Sequence, residues 1–178
     1  MTTDVHVPDE ARFSEVTLVM MLADLAGFTR AVTGLEALEV AHLVDEFYAI
    51  ASVSVRAAEG RVVKYSGDNC LATFDADAGR EAIACAMAIR DGVRRLGDRH
   101  GITLDTGTNI HRATVVAGAL GPAEDEQYDL VGTGVIHTFR MGSGAGIRVS
   151  EPVYRQLPSD ERPPWRKYQP PATYTYQS

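Results

Sequence analysis

The chain holds 178 residues in 19.3 kDa, enough for one domain, and its 45% hydrophobic and 23% charged content suits a globular protein with a sizeable core. A formal net charge of −7 and a pI of about 5.2 argue against non-specific nucleic-acid binding, which rests on a basic surface; a polyanionic ligand must be met by local cations or by metal. Cys70 and Cys85 lack metal-type spacing and read as buried thiols of a reducing compartment, and the polar, acid-bearing residues 1–10 are neither a signal peptide nor a membrane anchor, so the expected location is the cytoplasm.

Residues 1–13 read as a flexible leader and 14–178 as a single domain. Residues 16–23 are a nearly continuous apolar run, too short to span a bilayer, and predict a mid-sheet strand buried on both faces that leads directly into Asp24. Over 35–55, Val40, Leu43, Val44, Phe47 and Ala51 recur at three- and four-residue spacing, one stripe of an amphipathic helix with Gly60 as its stop. Residues 61–74 then give strand, tight turn and strand around Ser66-Gly67-Asp68-Asn69, with a carboxylate at the tip.

Asp75 and Asp77 suit the start of a second helix with the stripe Ala82, Ala86, Ile89, Val93 and Leu96, and Arg94, Arg95 and Arg99 lie near its C-terminal end, as the macrodipole prefers. Residues 102–110 and 114–120 read as two strands, 122–126 as an acidic turn, 128–131 as a strand, 135–141 as a helix, 147–150 as a strand and 152–157 as a helical turn. Tyr174 and Tyr176 alternate as in an edge strand. This order predicts an α+β fold of ferredoxin-like type, a mainly antiparallel sheet with helices packed on one face.

Such a fold sets the end of the first strand beside the hairpin, so Asp24 and Asp68 converge on one cation. Taken alone, Asp68 is also an ordinary turn-former. Two convergent carboxylates with water and substrate phosphates satisfy the octahedral demand of Mg²⁺ or Mn²⁺, and a pair of such ions clamps the attacking and leaving oxygens of a displacement.

Asp24 in Ala-Asp-Leu-Ala-Gly-Phe-Thr, Lys64 and Asp68 in Lys-Tyr-Ser-Gly-Asp, residues 111–121, Tyr128-Asp129 and residues 135–140 together resemble the catalytic domain of class III nucleotidyl cyclases over about residues 16–150. The resemblance implies that Asp24 and Asp68 hold two Mg²⁺ or Mn²⁺ ions per site, that Lys64 and Asp129 read the purine in the adenine-selecting combination, and that Arg140 stabilises charge on the α-phosphate. Phe28, Thr29 and Thr133 are the further expected nucleotide-binding residues, Thr133 lying with Gly134 in the turn before the 135–141 helix, whose free N–H groups help hold a phosphate. The chemistry agrees, since a lysine donates to a ring acceptor and a carboxylate accepts from the exocyclic amine of adenine. The implied reaction is attack of the ribose 3′-hydroxyl of ATP on its α-phosphate, giving cyclic AMP and pyrophosphate. The implied assembly is a head-to-tail homodimer with sites at the interface, and no nucleic-acid or membrane partner is expected within this chain.

The departures are specific. The ribose-orienting asparagine of the family falls on Ile136, which donates nothing, with His137 beside it as the candidate substitute. Phe139 stands where a small residue is usual, and His111-Arg112-Ala113-Thr114 lacks the family's glycine. His111 is expected to be structural. These changes predict a slow, Mn²⁺-favouring enzyme, since one lost transition-state hydrogen bond lowers a rate by about 10²–10³. The alternatives are a degenerate domain that binds nucleotide or a partner without turnover, and a cyclase with altered base choice.

Overall fold

A computed structural model describes residues 12–168 and 172–177; the expected leader lies almost wholly outside the described residues. Strand β1 (Phe13–Ala26) occupies the middle of the sheet, antiparallel to β3 (Asn69–Asp75) on one side and to β4 (Asp105–Leu120) on the other. With β2 (Arg61–Ser66), β6 (Gly146–Ser150), β7 (Trp165–Tyr168) and β8 (Thr173–Tyr176), the order is β2-β3-β1-β4-β6-β8-β7, and β5 (Gln127–Val131) pairs with β4. The β4–β6 pairing is parallel and the other ladders are antiparallel, so the α+β expectation holds.

The apolar run at 16–23 fills the two faces of β1 with different cores. Val19 and Met21 face the long helices α2 (Ala37–Ala57) and α3 (Gly79–His100), which bring Leu43, Phe47, Ala51 and Val55, and Ala82, Ala86, Ile89, Val93 and Leu96. Each of the Val, Leu, Ile, Met and Phe side chains among them contributes about 1.5–3 kcal/mol on burial. Met20 faces the other way, with Val115, Ala117 and Leu130, beneath α4 (Thr133–Arg140). Helices therefore cover both faces rather than one, because β1 carries apolar residues at consecutive positions and each face needs a lid.

Several local expectations change. The strands read at 102–110 and 114–120 are one, β4, because β1 is long enough to pair with it from Ala26↔Asp105 to Phe13↔Gly118, and His111, Arg112 and Ala113 sit within that ladder. A short helix α1 (Phe28–Ala31) follows β1. The left-handed residue after α2 is Glu59 (φ 57°), and Gly60 serves a close approach instead: a Cβ there would lie 2.4 Å from the Phe74 ring. Asp75 and Asp77 precede α3, which begins at Gly79. Tyr174 and Tyr176 lie on β8, between β6 and β7, so β7 is the edge strand. The helical turn at 152–157 is α5 (Glu151–Tyr154). Cys70 and Cys85 are buried free thiols, their pKa values pushed up to about 12 by burial.

Candidate active site

Asp24 sits near the end of β1, in register with Asn69 on β3 and Gly107 on β4. Asp68 sits in the two-residue turn that joins β2 to β3, where Gly67 takes the left-handed conformation (φ 59°) that the hairpin requires. Three contacts fix that turn. The Leu25 N–H donates to the Asp68 carbonyl at 3.0 Å, tying the turn to β1. The Tyr48 hydroxyl donates to the Gly67 carbonyl at 2.6 Å, and the Tyr48 ring stacks on Tyr65 with centroids 4.1 Å apart. Asp24 and Asp68 thus line one open cleft of about 430 Å³ with Leu25, Gly27, Phe28, Thr29 and Arg30.

Burial is the main cause that raises the Asp24 pKa, and the Asp68 charge raises it further; the Gly107 backbone and the Arg148 charge oppose them. Two carboxylates held together in a half-buried cleft are under-compensated, which is the electrostatic condition a divalent cation relieves. The donor set fits a hard cation. Among the described residues no cluster of three or more His, Cys, Asp or Glu surrounds the pair, so further ligands would come from water, backbone or substrate phosphate.

Lys64 and Asp129 meet on the far side of the hairpin. The register of β2 against β3 shifts between Val62 and Lys64, a bulge of the kind that re-aims a side chain. The twisted β1–β4 pair carries β5 round to β2, with the Arg61 guanidinium 4.1 Å from the Tyr128 ring centroid. There the Lys64 ammonium donates to Asp129 Oδ2 at 2.6 Å, and Asp129 Oδ1 accepts from the Leu130 N–H at 2.8 Å. The pair is partly exposed, the Lys64 side chain 44% and that of Asp129 29%.

Helix α4 can lie on β4 because Gly134 has no side chain; a Cβ there would be 2.6 Å from Ala113 Cβ. The helix presents Thr133, Ile136, Phe139 and Arg140 to solvent, with Ile136 54% and Phe139 44% exposed. His137 is half-buried, its ring 4.5 Å from that of His111, so it packs toward the sheet, while Ile136 beside it faces solvent. Burial and His137 hold His111 down to about 4, neutral at physiological pH, as a packing role requires.

The structure therefore gathers Asp24, Asp68, Phe28 and Thr29 in one cleft and pairs Lys64 with Asp129, while none of Lys64, Asp129, Thr133, His137 and Arg140 lines that cleft. Sequence reasoning missed Tyr48, Asn109 and Arg148. The available signal for Arg148 was a long cation between two apolar residues of a strand, Ile147 and Val149, both buried.

The family model for the adenylate and guanylate cyclase catalytic domain matches residues 9–166. An adenylate cyclase of Anabaena cylindrica is 24% identical over 157 residues, covering 81% of this chain and 31% of that protein. An uncharacterized protein of Mycobacterium bovis is 31% identical over 132 residues, 70% of this chain and 22% of its own length. The chain spans less than a third of these curated relatives. Among solved structures, the adenylyl cyclase CyaB from P. aeruginosa superposes with a TM-score of 0.83 at 17% identity, covering 93% of this chain and 96% of that one. The guanylyl cyclase Cya2 gives 0.80 at 22% identity, covering 92% of each. No helix among the described residues is long and apolar enough to cross a membrane.

Proposed function

Because this chain belongs to the adenylate and guanylate cyclase catalytic domain family, we propose that it converts ATP to 3′,5′-cyclic AMP and pyrophosphate, as a homodimer whose two sites lie between the protomers. The observation that carries this reading is the division of the site: an anionic cleft with Asp24 and Asp68 in one place, and Lys64, Asp129 and Arg140 outside it. In a two-fold arrangement each cleft is completed by the cations and the base-reading pair of the second copy.

Asp24 and Asp68 would hold two divalent ions, Mg²⁺ or Mn²⁺, which when bound supply activation of the 3′-hydroxyl and neutralise the triphosphate. Phe28 and Thr29 line the same cleft and bind the phosphate end of the nucleotide. Lys64 donates to a ring nitrogen of adenine while Asp129 Oδ2 accepts from the exocyclic amine; the observed 2.6 Å ion pair holds both groups at one spot before the base arrives. Arg140, exposed at the end of α4, puts a guanidinium on the α-phosphate as charge develops there, and Thr133 lies at the start of the same helix. His137 supports α4 through His111. With Ile136 in place of a ribose donor, turnover is slow and favours Mn²⁺.

A second reading, nucleotide binding without turnover, is favoured by the exposed apolar pair Ile136 and Phe139 flanking Arg140. Incubation with each nucleoside triphosphate and Mn²⁺, followed by mass spectrometry, separates the readings. Cyclic AMP from ATP is expected. A cyclic product from another nucleotide instead would establish altered base choice, and no cyclic nucleotide from any of them would overturn the enzymatic reading.

A further inference from the structure

Arg148 projects from β6 beside the carboxylate cleft, half-buried, and its guanidinium is spent on backbone. Its N–H groups donate to the carbonyls of Ser143 at 2.6 Å and Gly144 at 3.1 Å, and more loosely to Ala145 at 3.4 Å and Gly146 at 3.5 Å. Its register partner on β4, Asn109, donates from Nδ2 to the carbonyls of Thr138 and Gly142, each at 3.0 Å. Two side chains that are neighbours on the β4–β6 ladder thus capture every carbonyl from 142 to 146, the segment joining the Arg140 helix to β6. Gly144 and Gly146 in that segment have φ of 75° and 120°, conformations that glycine adopts at little steric cost, and the side-chain clamp ties the segment down in them.

The clamped loop meets Asp24 at Gly107. A Cβ on Gly107 would lie 2.2 Å from Asp24 Oδ1 and 2.7 Å from the Gly144 carbonyl oxygen, so carboxylate and loop flank one Cα in space left by the missing side chain. We propose that Arg148 is a positioning residue for Asp24: by holding the 142–146 loop against Gly107 it fixes the wall on which the Asp24 carboxylate rests, and so sets the affinity of the carboxylate pair for a divalent cation. This rests on the metal-binding role given to Asp24 and Asp68 above.

Two opposed effects make the role measurable. The Arg148 charge acts on Asp24 and repels a cation, so losing only the charge tightens metal binding. Losing the clamp loosens it. Lysine keeps the charge but lacks the planar fork that reaches several carbonyls at once.

The test is a Mn²⁺ titration of the whole chain without nucleotide, followed by electron paramagnetic resonance, with Asp68→Asn as the control and circular dichroism to check folding. Wild type is expected to bind Mn²⁺ in a way that Asp68→Asn loses, and Arg148→Lys to bind about 10-fold more weakly, the lower end of what lost outer-shell partners cause. Gly144→Ala strains the loop at φ 75° with nothing within 4 Å of the new Cβ, leaves the guanidinium in place, and is expected to weaken binding in the same direction; it decides the matter if Arg148→Lys fails to fold. Either folded variant binding Mn²⁺ as wild type does overturns the inference while leaving the metal site standing. Binding that Asp68→Asn does not alter overturns the metal role, and this inference with it.

Discussion

The two ends of the β2–β3 hairpin carry charge in opposite conditions. At the tip, Asp68 lies close enough to Asp24 to raise its pKa, and burial works in the same direction. At the stem, Lys64 and Asp129 neutralise each other at 2.6 Å in a partly exposed position. The tip is a conflict that folding alone does not resolve and that a bound cation would relieve. The stem is satisfied in the free protein, where a partly exposed pair of this kind is worth about 0–1 kcal/mol, and the proposed base reading would exchange its internal hydrogen bond for a base. The repulsion at the tip and the ion pair at the stem are what the proposed metal and base roles would each use.

The largest expected effect lies at the tip. Asp24→Asn removes one partner of the repulsion, so activity falls by about 10³ or more, the several kcal/mol that a metal clamp supplies. The same variant in EDTA should melt no lower than wild type, because a raised carboxylate pKa means that ionisation at neutral pH opposes folding. Activity and melting temperature measured side by side would break the comparison if Asp24→Asn unfolded the protein.

A middle-sized effect belongs to the stem. Lys64→Met and Asp129→Asn should each reduce the preference for ATP over GTP by about 10- to 100-fold, the worth of one hydrogen bond to a charged group. Either change should shift stability by no more than about 1 kcal/mol. Competition assays with the two nucleotides and urea unfolding curves check both parts.

The smallest effect sits beneath α4. His111 is held to about 4 by burial and by His137, below its ordinary 6.5, so the unfolded chain takes up a proton that the folded chain refuses. Stability therefore falls as pH drops from about 6.5 toward 4, and is unaffected by this group above that window. His111→Gln should flatten that slope in melting temperature against pH without changing base preference.

How much of this was legible in the sequence follows from which contacts are local. The hairpin was legible because Gly67-Asp68 between two β-rich runs is a short-range signal, and Asp24 because an apolar run leads straight into it. Lys64, Asp129 and Arg140 were legible only jointly, through the resemblance. The continuous β4 was not, because His111-Arg112 interrupts its apolar pattern and only β1 across the sheet keeps it extended. Nor was the bulge at Val63 that re-aims Lys64, nor Tyr48 on the Gly67 carbonyl 19 residues away, nor the clamp of Asn109 and Arg148, whose partners are carbonyls that no residue type advertises.

The division of the site between two copies is tested most directly by mixing two inactive variants. Asp24→Ala keeps Lys64, Asp129 and Arg140 but breaks the carboxylate pair, and Arg140→Ala keeps that pair. Each alone should lack cyclase activity, and their mixture should regain it, because a mixed dimer contains one site built wholly from intact halves. A mixture that forms mixed dimers yet stays as inactive as its components would contradict the account.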